Sequence, residues 1–140
     1  MEIPNARNRI EPEAQPTSPR RAAAHALAIN AAAVATLASR IDDEFDRAAN
    51  LILEYNNRVV VSGIGKSGLV ARKISATLAS LGTPSMFVHS ADAAHGDLGM
   101  IAPGNVAILI SASGESQEVL GLIPYLRALD VPIIAITGDL

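Results

Sequence analysis

The sequence of 140 residues contains no cysteine and no tryptophan, and only two phenylalanines and two tyrosines. Without cysteine, disulfides and thiolate metal sites are excluded. With so few aromatics, recognition by stacking on bases or sugar rings is disfavoured. Positive charge is also scarce: 11 Lys and Arg against 14 Asp and Glu give a net charge of −3 and a pI near 5.5. That balance argues against a nucleic-acid partner, which wants a basic surface. A strongly apolar run of membrane-spanning length is missing too. Ala22 to Ala38 carries no charge, but it is mostly alanine and is interrupted by His25, Asn30 and Thr36. It reads as a helix of a cytoplasmic protein with no membrane partner, not as a bilayer span or secretory signal.

What is present suits one domain, with 49% hydrophobic residues and a length within the usual range for a single core. Residues 1–19 hold Pro4, Pro12, Pro16 and Pro19 among scattered charges and read as a disordered tail. Over residues 20–55, Leu27, Val34, Leu37, Ile41, Phe45, Ala48 and Ile52 fall at steps of three, four and seven. This stripe predicts a long N-terminal helical arm, open to a break at an unspecified point, that lies on a partner subunit.

Strands and helices then alternate. Strands are expected at 58–62, 85–89, 106–111 and 131–137, and helices at 66–81, ended by Gly82, and at 115–129, kinked at Pro124. The unbroken runs Val106–Ile110 and Ile133–Ile136 predict strands buried on both faces. Such alternation gives an α/β protein with a doubly wound, flavodoxin-like parallel sheet. The sequence ends at Gly138-Asp139-Leu140, directly after the fourth strand, so a last strand and its helices are expected to be missing.

The first strand runs into Ser62-Gly63-Ile64-Gly65-Lys66-Ser67-Gly68, a turn suited to a phosphate. A P-loop would need glycine where Val60 stands, inside the strand. A dinucleotide site would need an acidic residue at the end of the second strand, which reads Phe87-Val88-His89-Ser90. The third strand ends in a second hydroxyl-rich turn, Ser111-Ala112-Ser113-Gly114-Glu115-Ser116. With strand order 2-1-3-4, both turns face one crevice at the carboxyl ends of the strands. Ser62, Ser67, Ser111, Ser113 and Ser116, with backbone amides, could there hold the phosphate of a small metabolite.

These turns, together with Gly82-Thr83-Pro84, His89 and Ala94-His95-Gly96-Asp97-Leu98-Gly99, resemble the sugar isomerase (SIS) domain over roughly residues 25–140. Within it they resemble the D-arabinose-5-phosphate isomerases, which interconvert ribulose 5-phosphate and arabinose 5-phosphate for outer-membrane polysaccharide. Ala112 departs from the family's frequent asparagine. Residues 20–140 would then form the N-terminal part of that domain, arm included. The resemblance implies a phosphosugar ligand, no cofactor and a homo-oligomer. It assigns acid/base and charge-stabilising work to Lys66 and Glu118, and substrate contacts to Gly63, Gly82, Thr83, His89, His95 and Glu115 beside the serines. His89 is also a candidate for an inhibitory zinc ion. The family's further glutamate and histidine would fall beyond Leu140, so impaired activity is expected of these residues alone. The alternative reading is a phosphosugar sensor that binds without catalysis.

Overall fold

The computed structural model describes residues 18–55, 57–93 and 95–138. Of the tail read over residues 1–19, only Ser18 and Pro19 lie within them. Helix α1 spans Pro19–Ala38 and is started by a side-chain cap: the Arg21 amide donates to Ser18 Oγ at 3.3 Å, and Pro19 takes the first turn, where no N–H is needed. The chain leaves helical geometry at 39–42, which is where the arm breaks, and α2 resumes over Asp43–Glu54. The described residues fall into two compact units divided after Asp42. In the first, every residue of α1 is exposed or nearly so, including Leu27, Val34 and Leu37 of the stripe. Against the composition-based expectation, α1 does reach the length and apolarity of a bilayer-crossing helix.

The second unit carries a four-stranded parallel sheet, ordered β2-β1-β3-β4 as expected. Its strands are β1 (Val59–Gly63), β2 (Ser85–His89), β3 (Val106–Ser111) and β4 (Ile133–Thr137). The crossovers are α3 (Gly65–Ser80), then α4 (Ser90–Ala93) with a 3-10 turn at Asp97–Met100, then α5 (Gln117–Leu120) and α6 (Ile123–Ala128). The central strands β1 and β3 are buried along their whole length. One face of the sheet packs Val59, Val61, Ile108 and Ile110 against Ala71, Ile74 and Leu78 of α3, with Ile52 of α2 joining them. The other packs Val60, Val88, Ala107 and Leu109 against Val119, Leu122 and Leu126. Each fully buried Val, Leu or Ile side chain among these contributes about 1.5–3 kcal/mol.

Two expectations need correction. The run at 133–136 is not buried on both faces: β4 is an outer strand of the described sheet, and Ala135 and Ile136 are exposed. Nor does residue 124 kink one helix. The chain breaks at Gly121–Leu122, and Pro124 falls in the first turn of α6, where its missing N–H costs nothing.

Candidate functional site

Register sets the site. Gly63 at the end of β1 is level with His89 of β2 on one side and with Ile110 of β3 on the other, while Ser111 pairs with Thr137 of β4. From β1 the chain crosses to β2; from β2 it crosses back over β1 to β3. The crevice at this reversal opens at the carboxyl ends of the strands. Into it lead three segments: the turn at 63–68, the stretch after His89, and the turn at 111–116.

The glycines of the first turn are there for backbone proximity. A Cβ on Gly63 would stand 3.1 Å from the Ile110 carbonyl oxygen, and one on Gly68 would stand 3.0 Å from that of Gly63. Gly65 sits at φ +56°, a left-handed conformation that costs other residues about 1–2 kcal/mol. The Gly68 amide donates to the Ile64 carbonyl, so the amides before it start α3 without intrahelical partners. Lys66 is exposed and Ser67 half-buried on this first turn. An anion over the turn would meet these amides, the positive end of a 16-residue helix and an ammonium group.

In the second turn, Ser113 Oγ accepts from the Glu115 amide at 3.2 Å, which leaves the Ser113 proton to donate elsewhere. Ser111, 6% exposed, pairs its hydroxyl with that of half-buried Ser116 at 2.9 Å, so the pair uses one proton and retains one. Glu115 is exposed, as is Glu118 in the first turn of α5. His95 is exposed in the loop after α4. His89 has a side chain 34% exposed, its ring edge-on to Phe87 at 6.2 Å, and its Nδ1 3.6 Å from Asp92 Oδ2. That nitrogen is buried without a hydrogen-bond partner among the described residues. For the zinc ion expected at His89 the fit is poor. Asp92 is the neighbouring acidic group, zinc takes three or four protein ligands, and no cluster of three His or acidic groups exists among the described residues.

Three expected contacts are not brought to this crevice. Gly82 and Thr83 lie at the opposite edge of the sheet, because α3 runs about 24 Å back along it before they occur. There they stop the helix: Thr83 N–H donates to the Leu78 carbonyl and Gly82 N–H to that of Ala79, with Gly82 at φ +95°. Ser62 is 1% exposed, and its hydroxyl is engaged between β1 and β2, donating to the Val88 carbonyl at 2.6 Å. Its partner Ser90, whose Oγ lies 2.9 Å from Ser62 Oγ, was not singled out from sequence. Thr137 was not singled out either, although a Cβ on Gly114 would stand 3.2 Å from its Oγ1.

Comparison with known proteins sharpens this picture. A family model described as the SIS domain matches residues 52–139. The chain is 54% identical over 114 residues to arabinose 5-phosphate isomerase KpsF of Escherichia coli, covering 81% of this chain and 35% of the relative. It is 50% identical over 106 residues to arabinose 5-phosphate isomerase KdsD of Francisella tularensis, covering 74% of this chain and 32% of the relative. It therefore spans about a third of the length of the curated relatives it matches. Among solved structures, an Escherichia coli CFT073 protein in complex with arabinose 5-phosphate superposes with TM-score 0.66 at 47% identity, covering 68% of this chain and 50% of that one. The phosphoheptose isomerase GmhA of Neisseria gonorrhoeae shares the fold, with TM-score 0.69 over 84% of this chain and 73% of its own, at 23% identity.

Proposed function

Because this chain belongs to the SIS-domain family, we propose that the crevice between β1 and β3 holds arabinose 5-phosphate and that the protein interconverts it with ribulose 5-phosphate. The observation that carries this reading is the level register of Gly63 with Ile110, which puts the glycine turn and the serine turn on one crevice. The names of the 50–54% identical relatives supply the sugar. The phosphate would lie on the amides of residues 65–67 and the hydroxyls of Ser67, Ser113 and Ser116. Glu118, acting as base, would take the C2 proton. The electron pair would form the C1–C2 double bond while the former carbonyl oxygen on C1 takes up a proton, giving an enediol. Loss of the O2 proton and return of the carbon-bound proton to C1 would leave a hydroxyl at C1 and the carbonyl at C2. Lys66 would stabilise the negative charge that develops on oxygen. The reaction redistributes hydrogen within one molecule, so it consumes no oxidant, reductant or cofactor. Its setting would be the cytoplasm, and its product would feed polysaccharide synthesis. The exposed stripe of α1 suits a homo-oligomer.

The test is proton NMR of arabinose 5-phosphate with the protein in D₂O. The expected result is loss of the C2 proton signal, abolished by Glu118→Gln, with ribulose 5-phosphate appearing. Ligand line broadening without exchange would leave binding and remove catalysis, which is the sensor reading. The absence of both exchange and broadening would overturn the proposal.

A further inference from the structure

We infer that Ser62 is a positioning residue that fixes the chain around His89, an inference that builds on the reading of His89 as a substrate contact. Ser62 has one hydroxyl proton. The Val88 carbonyl, 2.6 Å away, can only accept, so Ser62 spends its proton there. The 2.9 Å contact with Ser90 must then run the other way, Ser90 donating to Ser62 Oγ. Val88 and Ser90 are the two neighbours of His89 in the chain, and both Ser62 and Ser90 are 1% exposed. One buried hydroxyl of β1 thereby grips β2 immediately before and after His89, at the point where the chain leaves the sheet for α4.

The grip matters because no hydrogen bond of Nδ1 among the described residues orients the ring, whose contacts are the edge of Phe87 and the Asp92 carboxylate. Side chains alternate along a strand, so His89 points to the face opposite Val88, towards Phe87. Its Nδ1 makes no hydrogen bond among the described residues, and the Asp92 carboxylate at 3.6 Å is beyond hydrogen-bond range. The backbone on either side contributes, with the Phe87 contact, to where the imidazole stands. Ser62 therefore acts on the ligand through His89 without touching it.

The experiment uses the full chain with ¹³C,¹⁵N-labelled histidine, the His89 ring signals being identified by their loss in His89→Gln. In Ser62→Ala and in Ser90→Ala, the His89 signals are expected to broaden or split while those of His25 and His95 stay in place. Each variant is expected to weaken arabinose 5-phosphate binding by about tenfold, and by less than about twofold in a His89→Ala background, since sites acting through one group are not additive. Unchanged His89 signals in both variants, or equal losses with and without His89, would overturn the inference. Should Ser62→Ala fail to fold, Ser90→Ala decides, because it keeps the Ser62–Val88 bond. A parent protein that binds no sugar phosphate would remove the proposed function, and the ligand-free ring signals would still decide the role of Ser62.

Discussion

Gly68 presses its α-carbon against the end of β1 so closely that a methyl group there would stand 3.0 Å from the Gly63 carbonyl oxygen. Both partners are backbone, so neither can rotate away. Gly68→Ala is expected to cost about 1–3 kcal/mol through overpacking, read as a lower midpoint in urea. Gly99, with nothing within 4 Å of an added Cβ and no positive φ, is the control. Gly99→Ala should change stability by no more than about 0.5 kcal/mol.

Gly82→Ala separates two readings of the same motif. If Gly82 only stops α3, the substitution costs about 1–2 kcal/mol for its φ of +95° and leaves sugar-phosphate affinity intact. If affinity measured by titration falls in step, the assignment of Gly82 to the far edge of the sheet is wrong.

Lys66→Met should weaken ligand binding and slow deuterium exchange together if the ammonium group serves the phosphate as well as the proposed enediolate. Glu118→Gln should slow exchange by about 10²–10⁴ while binding is kept. Comparing dissociation constants with exchange rates checks the division of roles. Loss of binding in Glu118→Gln would place that carboxylate in recognition instead.

Leu126 is fully buried in α6 against the β1–β3 face. Leu126→Ala is expected to cost about 2–5 kcal/mol in transfer and cavity terms, seen as a large drop in thermal midpoint. A loss below about 1 kcal/mol would mean that the α5–α6 layer packs loosely.

The fold was largely legible in the sequence because its strands are runs of branched apolar residues between turn residues. The spans 85–89 and 106–111 match to the residue. Pro124 was misread because a proline permits either a kink or a fresh first turn. Leu122, buried against the sheet, belongs to the break and not to a continuous helix. At the site, both turns and their shared crevice could be read from glycine and serine spacing. Ser62 could not, since strand alternation and its register with Val88 turn its hydroxyl to the neighbouring strand instead of to solvent. The placement of Gly82 and Thr83 was available from the length of α3, which spans the sheet. They were expected at the site from the family resemblance, which does not take account of that length.

The opposed edges of the sheet also divide what the chain can vary. Segments 63–68, 89–93 and 111–116 share one edge, while 82–84, 102–105 and 130–132 lie at the other, where Gly82, Asn105 and Asp130 close turns. Insertions in the turn at that second edge, at 130–132, are expected to disturb the crevice less than insertions at 111–116. The amino edge is therefore the place to attach a probe or a fusion partner to this protein.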